Sequence, residues 1–482
     1  MGNDLNSGVR LTAVRARPWL FLFGVGCCLA VGGCMSDSSL YNSVYSSRTA
    51  SYQSWQRSRM AEAESLPALS GKLSLQDAIK VALAYNKPLL AVLQDKEVAR
   101  GRVIESYSEA LPKVSGVATY TRLDELGSFN AGGQSVSIGE LDNYSVDLQV
   151  RQPIFRGGAI SAAMRAAKIF SYLTDETVRG QVQATIFDVA STYYTTLLAQ
   201  QLYEVNRDAV ISAEAHLKDV QTKFSQGVAS RFDVLRAEVD VSNFKAEMIQ
   251  QQNRLHLART RLLKAMGVSQ ETEIVLADEL TYDPVKPVLD EAVRIAQLNR
   301  PDLYRAELGV RLQEEAVRIA KSEYWPKVDA LFTQGWSRPD PHTSTADWGD
   351  SWVAGVQLEI PIFDGLRREG RLIQEKALLQ RRRIERMDAE ESALLEIQQA
   401  LLTLRDAEEF AESQRLNLER AGEGLRLAEV GYREGVNTEV EVVDARAALT
   451  TARGLYYQAI YDHTVARLLL QRAMGILGPR AG

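Results

Sequence analysis

An internal duplication is the feature of this 482-residue sequence that most limits its possible folds. The stretch RQPIFRGGAI has a near copy, EIPIFDGLRR, later in the chain. Three pairs of matching residues lie 208 residues apart: Pro153 with Pro361, Gly227 with Gly435, and Gly267 with Gly475. A constant separation over several landmarks indicates a tandem duplication. We therefore predict two repeats, at residues 73–282 and 283–476, followed by a C-terminal tail at 477–482.

Earlier landmarks in the two copies have a different spacing. Two pairs lie 214 residues apart: Pro112 with Pro326, and Leu75 with Leu289. The first copy is therefore six residues longer than the second between its two prolines. Because length differences collect in exposed loops, we predict a loop between the two prolines of each copy.

The segments between these prolines alternate apolar and polar residues, with the period of a β-strand. The apolar residues of YSVDLQVRQP are Tyr144, Val146, Leu148 and Val150, and WVAGVQLEIP repeats the pattern. We predict one β-hairpin in each copy, at residues 113–153 and 327–361. Strands of about ten residues can span a bilayer. A soluble sheet with one buried face is the alternative, but the otherwise helical sequence would leave it only four strands.

Aromatic residues near the loop ends of the hairpins would suit a membrane interface. They are Tyr120, Tyr144, Trp336, Trp348 and Trp352. Four strands are too few to close a membrane barrel, and open strand edges are not tolerated in lipid. If these strands cross a membrane, the chain must form an oligomer.

Two long stretches without proline predict helical hairpins at residues 158–266 and 366–474. The returning helices carry heptads, which are Val234, Val241, Met248, Leu255 and Leu262 in the first copy and Val442, Leu449, Tyr456, His463 and Leu470 in the second. A row of small residues lies beside the second heptad: Ala445, Ala452, Ala459, Ala466 and Ala473. Such patterns are typical of antiparallel coiled coils that pack closely. The predicted fold class is mainly α, with long coiled-coil helices, and four β-strands per protomer that belong to a membrane β-barrel.

Shorter helices are predicted before each β-hairpin, at residues 74–110 with a break near Pro88 and at 289–323 with a break at Pro301. Each helix passes directly into a strand. The reverse passage, from strand to helix, is predicted at Pro153, Gly157, Gly158, Pro361 and Gly365. Proline ends the hydrogen bonding of the strand, and glycine permits the turn into the helix.

The N-terminus has the layout of an exported lipoprotein. Three arginines precede an apolar run at residues 18–30, which is too short to span a membrane and is followed by small residues. The sequence VGGC, which ends at Cys34, is similar to a bacterial lipobox. We predict a signal peptide at residues 1–33 and a covalent lipid on Cys34. An ordinary signal peptide with an incidental cysteine is the alternative.

The residues after Cys34 bear on the location of the protein. By resemblance to bacterial lipoproteins, an aspartate at the position of Met35 would retain the protein at the inner membrane, so methionine favours the outer membrane of a Gram-negative-type cell. We predict that residues 34–72, which are polar and rich in serine, form a lipidated tether. This tether is either flexible or an extended strap.

Charge and motif content argue against several functional classes. A net charge of −6 offers no basic footprint for nucleic acid. The four histidines, His216, His256, His342 and His463, lack the spacing of metal ligands. Phosphate-binding glycine loops and nucleophile motifs are not found either. We therefore predict that the protein is not an enzyme and has no metal site and no cofactor apart from the lipid.

Taken together, several motifs resemble the TolC family of outer-membrane efflux and secretion channels. They are LSLQDAIKVALAYNKP with its echo VLDEAVRIAQLNRP, the two PIF.G turns, and KFSQGVASRFDVLRAEVD with GYREGVNTEVEVVDARAAL. The resemblance spans about residues 73–475. It implies a homotrimer in which twelve strands form one outer-membrane barrel and twelve helices form a tunnel across the periplasm. It also implies passive export in a tripartite efflux or type I secretion system, together with an inner-membrane pump and a periplasmic adaptor (membrane fusion) protein.

The resemblance further implies a gate at the periplasmic tips of the helical hairpins. The tyrosine of the family motif falls on Tyr432 and its acidic positions fall on Glu441 and Asp444, whereas its arginine falls on Asn437. The equivalents in the first copy are Phe224, Asp233 and Arg236. Either another cation, for which Arg236 is the candidate, replaces the arginine, or the gate is held more weakly. A buried aromatic residue and solvated acids without a gating role are the alternative.

The turns SQGVAS and REGVNT have glycine where a helical hairpin requires it. By resemblance, the tips with Gly227, Val228, Gly435 and Val436 dock the adaptor; turns without a partner are the alternative. For the whole protein, the alternative is a lipid-anchored periplasmic coiled-coil scaffold or adhesin. The sequence does not separate the export of drugs or metals from the secretion of polypeptides.

Overall fold

The computed structural model describes residues 37–65, 71–131, 134–343 and 345–478. The predicted signal peptide, the lipid site at Cys34 and residues 479–482 of the predicted tail lie outside the described residues. The chain divides into two compact units, Met1–Ser58 and Arg59–Gly482.

Helix α1 (Asp37–Ser65) occupies most of the segment predicted as a tether. This differs from the flexible or extended chain that its serine-rich composition suggests. Hydroxyl groups in α1 donate hydrogen bonds to carbonyl oxygens three or four residues earlier, as from Ser46 to Ser43 (2.9 Å) and from Thr49 to Tyr45 (3.0 Å). These bonds satisfy the polar side chains within the helix itself.

The two repeats build the second unit, and the helices and long strands of the first repeat match those of the second. The first repeat contains β1 (Lys72–Leu73), α2 (Leu75–Tyr85), α3 (Lys87–Ser108), β2 (Lys113–Arg122), β3 (Gly127–Ala131), β4 (Gln134–Ile138), β5 (Asp142–Phe155), α4 (Ala159–Ser225), α5 (Arg231–Met266) and β6 (Val275–Leu276). The second repeat contains α6 (Leu289–Asn299), α7 (Pro301–Ser322), β7 (Lys327–Arg338), β8 (Gly349–Glu359), α8 (Arg367–Arg433) and α9 (Glu439–Ala473). The described chain is mainly helical, in agreement with the predicted fold class.

The short helices break close to the predicted prolines. The side chain of Asn86 accepts a hydrogen bond from the backbone N–H of Leu89 (2.9 Å) and caps α3. Pro88 lies in the first turn of α3, and Pro301 begins α7. Proline suits these positions because the first N–H groups of a helix have no partner within the helix.

One antiparallel sheet holds the four long strands in the order β2-β5-β7-β8. Its register places apolar side chains from all four strands on the same face: Tyr120 lies opposite Tyr144, Val146 opposite Trp336, and Phe332 opposite Ala354. The other face is mostly polar, with Asp147, Gln149 and Gln357 among its residues. The alternation predicted from two strands therefore continues through the whole sheet.

The apolar face of the sheet is exposed in the protomer. Val146 is 43% exposed, Trp352 67% and Val356 70%. A second, short hairpin made of β3 and β4 was not predicted, and it lies in the loop of the first copy, where that copy carries its extra residues.

The coiled-coil helices pack through the predicted heptads. Val234, Val241, Leu255 and Leu262 are buried in the first copy, and Val442, His463 and Leu470 are buried in the second. The small residues Ala452, Ala459 and Ala466 are also buried, which allows the helices to approach closely. Helices α4 and α8 have 67 residues each, or about 100 Å at 1.5 Å per residue. In the described part of the chain, no helix is both long enough and apolar enough to cross a membrane.

Each returning helix ends against the break between two short helices. The side-chain amide of Asn86 donates to the carbonyl of Ala265 (2.8 Å), and Arg300, at the matching position of the second copy, donates to the carbonyl of Ala473 (3.1 Å). The next glycines, Gly267 and Gly475, have φ angles of 80° and 72°. The duplicated glycines are therefore explained by close backbone packing.

We expect Gly267→Ala and Gly475→Ala to destabilise the protein by about 1–3 kcal/mol each. A methyl group at Gly267 would lie within 3 Å of the backbone of Tyr85, and one at Gly475 would lie 2.8 Å from the backbone nitrogen of Arg300. Thermal melting of the detergent-solubilised protein, followed by the helical circular dichroism signal, measures the effect. Gly101→Ala is the matched control, since Gly101 lies in α3 with open space around it, and it should melt at the same or a higher temperature. Equal loss in all three variants would contradict the packing explanation.

Candidate functional site

Both helical hairpins turn through a glycine in the left-handed conformation. Gly227 and Gly435 have φ angles of 76° each. The backbone N–H of Val228 donates to the carbonyl of Lys223 (2.9 Å), and that of Val436 donates to the carbonyl of Gly431 (2.8 Å). These bonds satisfy carbonyl groups at the helix ends. They leave Val228 and Val436 on the outside of the turns, 77% and 80% exposed.

Two of the predicted gate acids cap the returning helices. The carboxylate of Asp233 accepts from the backbone N–H of Ser230 (2.8 Å), and that of Glu441 accepts from the backbone N–H of Thr438 (2.9 Å). In each pair the hydroxyl accepts in return from the backbone N–H of the acid, which completes a capping box. Hydrogen bonds from Ser230 lower the pKa of Asp233. Both acids thus have a local structural function.

The other predicted gate residues are not joined to these acids within the protomer. Asn437 packs its side chain over Gly431, where a methyl group would lie 2.7 Å from the Asn437 Cγ. Asp444 is exposed on the same helix as Glu441. Among the described residues, Arg236 forms no ion pair with either acid. Its charge acts instead on the carboxylates of Asp240 and Glu439.

A buried polar cluster close to the tips was missed by sequence reasoning. His216 of α4 is 8% exposed, and its Nε2 lies 3.3 Å from Oε1 of Glu439 at the start of α9. The ring of Tyr432 lies at 6.4 Å from the His216 ring, edge to face. The Nζ of Lys223 lies 4.2 Å from the centroid of the Tyr432 ring. The predicted gate tyrosine therefore belongs to a contact between the two helical hairpins.

Burial dominates the electrostatics of this cluster. It lowers the pKa of His216 to about 4, with a further contribution from the positive charge of Arg446. It raises the pKa of Glu439. Arg446 forms an ion pair with Glu429 of α8 (3.0 Å). At neutral pH the imidazole of His216 is therefore uncharged, although charged groups surround it.

The strand-to-helix passages differ from the prediction in one respect. Pro153 lies inside β5, opposite Asp329, rather than at the end of the strand, and an irregularity in pairing follows it. Because β2 begins opposite Arg151, β5 has a neighbour on one side only beyond that point, and strand edges tolerate proline. Pro361, by contrast, lies beyond the end of β8.

The turns after these prolines contain residues in the left-handed backbone conformation. Gly157, Gly158 and Gly365 have φ angles of 60°, 88° and 68°, and Leu366 has 67° where the first copy has glycine. A methyl group at Gly157 would lie 2.6 Å from the Cβ of Trp325, so this turn of the first repeat packs closely on the end of α7 in the second repeat.

No group of three or more histidine, cysteine, aspartate or glutamate residues that could hold a metal ion occurs in the part of the chain that the structure describes. The site is thus built from helix caps, exposed turns and a buried polar contact.

Solved structures of outer-membrane proteins share this architecture. The chain is similar to VceC of Vibrio cholerae, with a TM-score of 0.72 at 16% identity over 83% of this chain and 96% of that one. It is also similar to the open state of the MtrE outer membrane channel of Neisseria gonorrhoeae, with a TM-score of 0.70 at 19% identity over 83% of this chain and 89% of that one. At these identities, the likeness defines the fold.

Sequence comparison defines the family. The family described as outer membrane efflux protein matches residues 78–268 and 292–476, one segment in each repeat. The chain belongs to this family, and the predicted resemblance to TolC-like channels is confirmed. The toluene efflux pump outer membrane protein TtgC of Pseudomonas putida is 22% identical over 414 residues, 83% of each protein. The alkaline protease secretion protein AprF of Pseudomonas aeruginosa is 21% identical over 84% of this chain and 85% of AprF.

We expect the cap at the start of α9 to survive loss of the Glu441 charge but not loss of its side chain. Glutamine can accept the same backbone hydrogen bond, whereas alanine cannot. Hydrogen exchange at the first turn of α9 should quicken in Glu441→Ala, with a local loss of about 0.5–2 kcal/mol, and should change little in Glu441→Gln. If both variants loosen the turn equally, the carboxylate charge rather than the hydrogen bond stabilises it.

Proposed function

We propose that three copies of this chain form the outer-membrane exit duct of a tripartite efflux or type I secretion system. Membership of the outer membrane efflux protein family supports this function. The observation that carries it is the four-stranded sheet, which has one continuous apolar face and joins helices of 67 residues. Apolar side chains that face outward along strands of this length suit lipid.

Closure of the sheet requires more than one copy, and three is the number that the resemblance to TolC-like channels implies. Strands β2 and β8 are at the edges of the sheet, and backbone groups at an open edge have no partner in lipid. Three sheets placed edge to edge would close a barrel of twelve strands, and the helical hairpins would continue it as a tunnel through the periplasm. The exposed apolar face then contacts lipid, with Tyr120, Tyr144, Trp336, Trp348 and Trp352 toward its interface.

The remaining assignments belong to the same proposal. A signal peptide at residues 1–33 directs export, and a lipid on Cys34 adds an anchor in the outer membrane. The exposed tips at Gly227–Val228 and Gly435–Val436 dock a periplasmic adaptor that links the duct to an inner-membrane pump. Efflux proteins and a protease secretion protein are both among the relatives, so the fold is compatible with small molecules and with polypeptides.

Conductance in planar bilayers tests the duct and its gate together. We expect the purified trimer to form discrete channels. In the double variant Glu441→Gln/Asp444→Asn, the preference for potassium over chloride should fall toward one, because acidic residues near a pore mouth attract cations. The glutamine keeps the helix cap, so a change in selectivity reports the charge.

Two results would count against this proposal. A folded trimer without channels would exclude the duct and favour a lipid-anchored scaffold. Channels with unchanged selectivity would keep the duct but remove Glu441 and Asp444 from the gate.

We expect the double variant Val228→Asp/Val436→Asp to lose adaptor binding while its channels stay intact. Burial of one valine contributes about 1.5 kcal/mol, so adaptor affinity should fall at least about tenfold. Binding to the immobilised trimer, and dye accumulation in cells that depend on this duct, measure the loss. Val228→Thr/Val436→Thr is the control of matched shape and should lose less. Full export by the aspartate variant would show that the adaptor binds elsewhere.

A further inference from the structure

The two repeats correspond residue by residue in the folded chain. In the first repeat β2 pairs with β5, and Lys113 lies opposite Arg151. In the second repeat β7 pairs with β8, and Lys327 lies opposite Glu359. These are matching positions at the separations of 214 and 208 residues found in the sequence. A contact that the first repeat makes with the second can therefore be transferred to the matching residues of the opposite repeats.

The sheet holds the first contact between the repeats, which is the pairing of β5 with β7. The match of β5 is β8, and the match of β7 is β2, and these are the two edge strands of the protomer. A pair of β8 with β2 is thus the repeated form of a contact that already exists within the chain. Since Val150 lies opposite Phe332, Leu358 would lie opposite Ala118 of the partner subunit, and the apolar faces of the two sheets would join.

The corner between α6 and α7 makes the second contact, with α4 of the first repeat. Arg179 of α4 donates to the backbone carbonyl of Asn299 (2.9 Å), and its guanidinium carbon lies 5.2 Å from the ring centre of Tyr304. At the next position, a Cβ atom added to Gly180 would lie 3.8 Å from the Cβ of Pro301. The corner of the second repeat therefore sits directly on α4.

Apolar residues occupy the positions that match this corner contact. Met387 of α8 matches Arg179, and Tyr85 and Leu90, at the corner between α2 and α3, match the two residues that Arg179 contacts. All three are exposed in the protomer. Exposed apolar residues that occur singly are ordinary, but these three belong to one repeated contact. A second copy that docks its α2–α3 corner on α8 would cover all of them.

Opposite charges occupy the next matching positions. Asp388 matches Gly180, and Lys87 matches Pro301. Both side chains are exposed in the protomer. In the repeated contact their Cβ atoms would be 3.8 Å apart, as the Cβ positions at Gly180 and Pro301 are. An aspartate and a lysine that are this close attract each other, so charge and apolar surface favour the same partner.

The turn after β5 makes the third contact, and its match is uncovered. The added Cβ at Gly157 would lie 2.6 Å from the Cβ of Trp325, whereas the one at Gly365 meets no atom of the described chain within 4 Å apart from its neighbours in sequence. Phe363 in this second turn is 79% exposed, and Leu111, which matches Trp325, is exposed as well. The first repeat thus offers a surface for the second turn that its own chain does not cover.

We propose that the contact between subunits repeats the contact between the two halves of the chain. The α2–α3 corner of one copy, with Tyr85, Lys87 and Leu90, docks on α8 of the next copy at Met387 and Asp388, and β2 pairs with β8 in the register of β7 with β5. The partner is a second copy, because only this chain carries the matching corner. Such a head-to-tail contact closes into a ring. The number of copies rests on the proposed function as a trimeric duct.

Cysteine pairs in the full-length trimer test this contact. In Lys87→Cys/Asp388→Cys, the Cβ atoms would lie at a distance that a disulfide can bridge. Oxidation of these thiols by copper phenanthroline and air should link neighbouring subunits into covalent dimers and trimers on a denaturing gel. Gly180→Cys/Pro301→Cys has the same geometry within one chain and should link without an increase in mass. Lys87→Cys/Glu390→Cys is the matched negative control, because Glu390 lies about 200° around α8 from Asp388.

The linked fraction of Lys87→Cys/Asp388→Cys should exceed that of the Glu390 control by at least about tenfold, and reduction should return single chains. Single-cysteine variants set the background that Cys34 contributes. An intact trimer in which this pair links no better than the control would overturn the repeated contact, whether or not the trimer conducts. Efficient links in a trimer without channels in planar bilayers would support the contact and refute the duct.

A second pair replaces the first if Lys87→Cys/Asp388→Cys does not assemble. Phe155 lies opposite Val328, so Phe363→Cys/Val114→Cys should link subunits in the same way. Its control is Phe363→Cys/Ser115→Cys, because Ser115 lies on the opposite face of β2. An intact trimer in which both of these variants link equally would overturn the proposal.

Discussion

Hydrogen bonding at the two edges of the four-stranded sheet is the constraint on which the rest of the proposed architecture depends. A protomer with β2 and β8 at the edges cannot place its sheet in lipid alone, because lipid offers no partner to backbone groups. The same sheet exposes an apolar face that water does not favour. In the proposed assembly, edge-to-edge pairing with further copies satisfies the strand edges, and lipid covers the apolar face. It also brings the long helices, which leave the sheet directly, side by side.

The two copies form the same contact with different side chains. At the break between the short helices, Asn86 and Arg300 occupy matching positions and bind matching carbonyls. In the first copy, the amide of Asn86 forms the hydrogen bond to the carbonyl. In the second copy, the guanidinium of Arg300 forms this bond and also makes ion pairs with Asp302 and Glu396. The close approach of Gly267 and Gly475 is common to both copies. Backbone packing is therefore retained between the copies, while side chains around it have diverged.

At the tips of the helical hairpins, a few side chains have a structural role and are also predicted gate residues. The carboxylate of Glu441 caps a helix and is also a predicted gate charge. Asn437, at the position of the arginine in the family motif, lies over Gly431 of its own hairpin. Tyr432, in contrast, meets Lys223 and His216 of the first hairpin. Contacts between the hairpins thus depend on a buried polar cluster, in which a side chain that loses its partner is costly.

The sequence by itself determined the repeats, the helical hairpins, the strand alternation and the positions of the turns. These features depend on local periodicity and on residues such as proline and glycine, whose backbone preferences act within a few residues. It did not determine that residues 37–65 are helical, that β5 continues through Pro153, or that β3 and β4 form a second hairpin. Only the tertiary structure brought His216 to Glu439, which is 223 residues away along the chain. A single histidine on a helix belongs to no recognisable sequence motif. Its burial and its charge depend on four helices that come together only in the folded protein.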